Sequence, residues 1–371
     1  MFERGVKTGF ADLPLHYGKT PRWLFERMVK LSKVIADAVV YEYGQEELLR
    51  RIADPFWFQA FSCVIGFDWH SSGATTTTCG ALKIAISPDE HGIAVAGGKG
   101  KISRKAPDEI EKKGEFLSLS QKRIESLKYS SRMSAKVDEC CVQDFYSIYS
   151  HSFIFTEKGV WCTVQQGMKG NYARRYHWLS DNVRSFVEEP HSGICGDRVE
   201  SRVLDLTAKE SKEVRKTSLD LVRDNPLKLK KYFGGQTLLT DFESKLEKLA
   251  LPERHEILKV DISERGWEFL KKAYELQPES YEELVSLKGI GAKTLRALAL
   301  ISDLVYGAEP SWKDPVKYSF CVGGKDGIPF QVDKRVYNSS IEILKNAVED
   351  AKIGKTEKYN ALKRLSQFVS A

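Results

Sequence analysis

Between Ser286 and Ser302 the chain reads SLKGIGAKTLRALALIS, and no other stretch limits its local fold so tightly. Two glycines bracket one apolar residue, Gly289-Ile290-Gly291. Before them, Tyr281 to Leu287 carries helix formers with apolar residues at helical spacing. After them, from Ala292, the residues are apolar almost all round, as in a buried helix. Glycine accepts backbone angles that other residues resist, so these residues predict a very tight connection between two helices. Such a turn leaves backbone N–H groups open at the start of the second helix, where the helix dipole also favours an anion. Lys288, Lys293 and Arg296 lie within the stretch, and no acid does. Lys288, Gly289, Ile290, Gly291, Thr294 and Arg296 then make a phosphate-binding constellation that ignores base sequence. The plainer alternative is a pair of glycines that merely ends one helix and starts the next.

A chain of 371 residues is long enough for two domains. Its 57 Lys and Arg against 51 Asp and Glu give a mild positive balance of the kind a polyanion attracts. The placement of that balance says more. Over residues 241–371 the two signs are equal at 21 each, so the whole excess lies in residues 1–240. If nucleic acid is the partner, the N-terminal part shares in gripping it. No apolar run approaches the roughly 20 residues that cross a bilayer, and MFERGVKTGF at the start lacks the apolar core of a secretion signal. The seven cysteines are scattered, with only Cys140 and Cys141 adjacent, which suits a reducing cytoplasm. The expectation is a cytoplasmic, monomeric DNA-binding protein with no membrane contact, no cofactor and no metal.

The expected fold is α+β, with a mixed α/β domain over 1–240 followed by an all-α domain over 241–371. Residues 21–53 read as helix, opened by Pro21 with Leu24, Met28, Leu31, Ile35 and Val39 at helical spacing, and broken at Asp54-Pro55. Ala81 to Ala96 alternates in two short pieces around Ser87-Pro88, which suggests a hairpin. Residues 107–128 read as charged helix. Ser152 to Val164 reads as a second hairpin around Glu157-Lys158-Gly159, and the polar, basic stretch 205–235 as the domain boundary. Beyond residue 240 all reads as helix except a loop from Gly307 to Gln331, longer than the ~15 residues usual for a structureless connection. That loop ends in PFQVDKRVY, with Asp333 opening a helix whose apolar face is Tyr337, Ile341, Leu344, Val348 and Ala351.

LKGIGAKT, a Gly/Pro-rich loop, and PFQVDKRVY together resemble the helix-hairpin-helix DNA glycosylase superfamily. The resemblance implies DNA repair by base excision. Lys293 takes the place of the catalytic lysine of the bifunctional members, and Asp333 that of the catalytic aspartate. They stand 40 positions apart, more than the separation in the common members, and some archaeal members also carry a longer insertion here. The four-cysteine iron–sulphur loop of some relatives is missing, because Cys321 is the only cysteine beyond residue 195. Over its whole length the chain resembles a prokaryotic, chiefly archaeal family catalogued as a domain of unknown function. ADLPLHYGKTPRWL, DPFWFQAFSCVIGFDWHSSGATTTT, SSRMSAKVD, VQQGM, ARRYHW and YSFCVGGKDG carry that likeness.

The implied chemistry needs a lysine that loses its proton near neutral pH, since an ammonium cannot attack the C1′ carbon of a flipped-out nucleotide. Burial and the positive end of a helix dipole both favour that loss, and position 293 at the first turn of a buried helix is expected to supply both. Asp333 would stabilise charge growing on the sugar. Taken singly, Asp333 also reads as an N-cap and Lys293 as a phosphate contact. Trp69 and His70 suit a base pocket or a satisfied core. Arg174, Arg175, Tyr176 and His177 mix cations with aromatics, as an unpaired strand or flipped base requires, or form a solvated turn. Gly97-Gly98-Lys99-Gly100 lacks the spacing of a phosphate loop that hydrolyses nucleotides. Asp138, Asp144, Glu189 and His191 have no diagnostic metal spacing. A metal-dependent endonuclease and a non-catalytic DNA-binding module remain the alternatives to a glycosylase with AP-lyase activity.

Overall fold

A computed structural model describes residues 20–67, 73–196, 198–224, 264–317, 342–349 and 354–370. The molecule is mixed α+β, built on one five-stranded antiparallel sheet with helices on both faces. Pro21 opens α1 (Arg22–Tyr43), whose residues Met28, Leu31, Ile35 and Val39 are buried at the expected helical spacing. The expected single helix over 21–53 is two helices. Gly44, at φ +87°, turns the chain and starts α2 (Gln45–Ala53). Asp54 then caps α3 (Pro55–Ile65), its carboxylate accepting the backbone N–H groups of Phe56 and Trp57 at 2.8 and 2.9 Å. Nearly every residue of α3 is buried, as its aromatic content demands.

The hairpin expected over 81–96 does not form. Helix α4 (Gly73–Ala85) runs through its first half, a short α5 (Pro88–His91) follows, and only Ile93 begins a strand. The reason is periodicity. Ala81, Leu82 and Ala85 are buried at i, i+1 and i+4, a helical stripe, while Ile84, which completed the apparent alternation, is exposed. Similarly, the helix expected over 107–128 is α6 (Ala106–Phe116) and α7 (Gln121–Cys140), separated by a turn in which Ser120 caps the second.

The sheet follows the order β1 (Ile93–Lys99), β3 (Ser147–Thr156), β4 (Trp161–Lys169), β5 (Tyr172–Leu179), β6 (His191–Gly196). The β3–β4 hairpin turns through Glu157-Lys158-Gly159, with Gly159 at φ +79°. A separate pair joins β2 (Val142–Gln143) to β7 (Leu204–Asp205). Side chains alternate along each strand, so the sheet feeds two cores. Ile93, Val95, Ile154, Cys162 and Val164 pack against α1 to α4. Ala94, Ala96, Phe153, Phe155, Trp161 and Trp178 pack on the other face, against α6, α7 and α8 (Lys212–Arg223).

The described C-terminal residues divide between these cores. Helices α9 (Glu264–Leu276), α10 (Tyr281–Ser286) and α11 (Ala292–Tyr306) join the second core. Helix α12 (342–349) and α13 (Lys355–Ser370) return to the first, through Leu344, Ala347, Val348 and Ala361. The boundary expected near residue 240 lies outside the described residues, and chain on either side of it shares both cores. Backbone bonds from Val203 to Trp312 and from Asp205 to Ser311 tie the two stretches together.

Candidate nucleic-acid interface

Helix α10 is opened by Ser280, whose hydroxyl accepts the Glu283 N–H at 3.1 Å, and it ends at Ser286. Five residues separate it from the start of α11. The two glycines between them serve different ends. Gly289 sits at φ +91°, in the left-handed region, and a Cβ there would overlap the Phe269 ring. Only glycine fits. Ile290 is buried and pins the turn to the second core. Gly291 has extended backbone, φ −133°, and a Cβ there would meet nothing within 4 Å. As N-cap of α11 it contributes no side chain, so among the described residues no side-chain bond caps the helix. The first turn of α11 holds no acid. Lys288 and Lys293 are both exposed beside this opening, whereas Thr294 is buried.

The turn is braced from the N-terminal half of the chain. Lys136 of α7 donates to the Leu287 carbonyl, and burial lowers its pKa below the usual lysine range. Gln143 of β2, itself buried, donates to the Ala292 carbonyl at 2.9 Å and accepts from Arg296 Nε at 2.7 Å. Arg296 is thereby held over the ring of Phe145, 5.1 Å from its centroid. Lys169 approaches the same ring at 5.4 Å. Phe145 is 61% exposed and has φ +68°. Lys136, Gln143, Phe145 and Lys169 were not legible as site residues, because each is brought to the turn by tertiary packing rather than by a local motif.

Lys293 stands second in α11, at the helix start as expected, but its side chain is exposed rather than buried. Asp333, Trp69 and His70 lie outside the described residues. Arg174, Arg175, Tyr176 and His177 occupy β5, an interior strand of the sheet between β4 and β6, all of them buried. They do not share one pocket, nor do they form a solvated turn. Arg174 and Tyr176 point to the second core side, where Arg174 bonds Asp144 at 2.8 Å and Asp314 at 2.7 Å, and the Tyr176 hydroxyl donates to Asp144 at 2.6 Å. Arg175 and His177 point to the other face. There Arg175 lies over Phe58 at 4.7 Å and donates to Gln59, and His177 bonds the Ile52 carbonyl at 3.2 Å. Strand alternation separates the neighbours: Arg175 and His177 tie the sheet to α3 and α2, and Arg174 and Tyr176 tie it to the loops that carry Asp144 and Asp314.

Asp138 and His191 do meet. His191 Nε2 lies 2.6 Å from Asp138, which also accepts from Trp178 Nε1 at 3.1 Å and from Gln165. Burial pushes the Asp138 carboxyl above the usual range, with His191 opposing. The chain continues through His151, bonded to Gln165 at 2.8 Å and to Ser131 at 2.8 Å. Among the described residues no three His, Cys, Asp or Glu side chains are grouped as a metal site would require. No described helix is long and apolar enough to cross a membrane.

Residues 9–332 match the family described as protein of unknown function, DUF763. The chain belongs to that family. The matched region contains the whole sheet, both helical layers beside it and the α10–α11 turn, and it ends before α12 and α13. No curated protein and no solved structure matches the chain.

Proposed function

We propose that this protein is a DNA repair enzyme that grips the phosphate backbone with α10 and α11, acting as a helix-hairpin-helix. The observation that carries the reading is the opening at Gly291. An uncapped helix start, free of acids and flanked by exposed Lys288 and Lys293, suits a phosphate oxygen in both geometry and charge. Buried Ile290 and the bonds from Lys136 and Gln143 hold that opening rigid, so little freedom is lost on binding.

The chemistry we assign is that of a DNA glycosylase with AP-lyase activity. The Lys293 amine adds to C1′ of a damaged nucleotide as the base departs with the C1′–N bonding pair; the lysine nitrogen then gives up a proton, and the C1′–O4′ bond breaks with its pair and a proton going to O4′, which leaves a ring-opened iminium on the lysine. Loss of a C2′ proton then expels the 3′-phosphate and breaks the strand. Exposure of Lys293 leaves its amine accessible to a sugar held at the turn, and Asp333 is assigned the stabilisation of charge on that sugar. The test is borohydride trapping on oligonucleotides that each carry one lesion. Wild type should form a covalent adduct with at least one lesion and Lys293→Gln none. An adduct that survives in Lys293→Gln places the chemistry on another amine. No adduct on any lesion, with DNA binding intact, leaves the protein a DNA-binding module or an endonuclease.

A further inference from the structure

Phe145 is held in a place where an apolar side chain costs stability. Its φ of +68° lies in the left-handed region that favours glycine or asparagine, yet the residue is an aromatic and its ring is 61% exposed. The neighbours on either side fix it there. Asp144 is buried and bonded by Arg174 and Tyr176, and Tyr146 is buried with its hydroxyl donating to Glu200 at 3.0 Å. The chain between them therefore has little choice but to thrust Phe145 outwards.

The surroundings of the ring identify what it meets. Lys169 and Arg296 lie 5.4 and 5.1 Å from its centroid, and Arg296 is aimed by Gln143, the same residue that braces the first residue of α11. Nearby, Arg198 lies 4.0 Å from the Tyr172 ring and shares Glu200 with Lys169. An exposed flat ring set among cations suits a ligand that has both a π-face and negative charge. A nucleotide has both, and stacking accepts any base.

We propose that Phe145 stacks on an unpaired nucleobase, so that this surface prefers DNA with a base out of its pair over fully matched duplex. The proposal rests on the DNA-binding reading given above and adds to it a residue from the N-terminal part of the chain. The cations would hold the backbone on either side of that base, and the ring would replace the lost stacking partner. No base sequence is read in this way.

The experiment uses the full-length protein and two duplexes, one fully matched and one with a single bulged 2-aminopurine, whose fluorescence reports its stacking. Phe145→Gly relieves the left-handed backbone and removes the ring, and Phe145→Tyr keeps the ring. Wild type should bind the bulged duplex more tightly and change the 2-aminopurine signal. Phe145→Gly should lose about 5- to 150-fold in affinity for the bulge, while matched-duplex affinity and salt slope stay unchanged. Phe145→Tyr should behave as wild type. Wild type that binds both duplexes alike, or Phe145→Gly that binds the bulge as wild type does, overturns the stacking proposal and leaves the backbone grip standing. Wild type with no salt-dependent binding to either duplex removes both.

Discussion

Replacing Gly289 and Gly291 by alanine, one at a time, separates the part of the turn that folds the protein from the part that meets DNA. At Gly289 the backbone is left-handed, which an L side chain resists by about 1–2 kcal/mol. The added Cβ also overlaps the Phe269 ring, and overpacking of this kind costs about 1–3 kcal/mol. Gly289→Ala should therefore destabilise the protein by about 2–5 kcal/mol. At Gly291 the backbone is extended and the space is open, so only the weaker N-cap preference of alanine remains, below about 1 kcal/mol. Urea unfolding followed by tryptophan fluorescence gives both values. Measured against Phe269→Ala alone, the added Gly289→Ala should cost only the backbone share, which makes the two contributions separately visible. Equal losses at the two glycines, or a Gly289→Ala loss within about 0.5 kcal/mol of wild type, would refute this account of the turn.

Arg174→Ala should cost about 3–5 kcal/mol in the same assay, because it leaves Asp144 and Asp314 charged and buried without their cation; a loss typical of a surface site would show that the pairs do not matter. His151 gives a pH test. Burial lowers its pKa to about 4 from 6.5, so between those values the unfolded chain binds one proton more than the folded one. Stability should fall as pH drops from 6.5 towards 4, and level off above 6.5, with His151 contributing a slope of up to about 1.4 kcal/mol per pH unit. Asp138, Asp144 and Asp205, raised by burial, act in the opposite direction and cancel when wild type is compared with His151→Gln. The variant should lack that one-proton slope; equal slopes in the two proteins would mean that His151 is protonated when folded.

Much of the scaffold was legible where local chemistry decides the outcome. The Ser152–Val164 hairpin follows from alternation and from Gly159, and α1 follows from apolar spacing behind Pro21. The Ala81–Ala96 stretch misled because alanine-rich helix edges alternate by accident over a few residues, and Ser87-Pro88 reads equally well as a turn or as a helix start. Arg174-Arg175-Tyr176-His177 misled for a different reason. Cations beside aromatics look like a ligand surface, but burial depends on which layers cover the strand, and that is settled by helices more than a hundred residues away in sequence, such as α2 and α3. At the candidate interface the glycines and lysines of 288–293 were visible as a motif. Phe145 was not, since a left-handed aromatic carries no local signal and arises only because Asp144 and Tyr146 are both held from elsewhere.

The central claim is that the α10–α11 turn holds DNA phosphate through the open start of α11, and a fluorescence-anisotropy titration of full-length protein with duplex DNA over a range of salt tests it most directly. Wild type should lose affinity steeply with salt, and Lys288→Ala should reduce the logarithmic slope by about one. Gly291→Val, whose Cβ would meet nothing within 4 Å, should block the approach and weaken binding about 10- to 100-fold, as loss of charge-assisted bonds would. That loss should be the same for matched and damaged duplexes alike. Wild-type binding without salt dependence, Gly291→Val binding equal to wild type, or a loss confined to one lesion would contradict the claim.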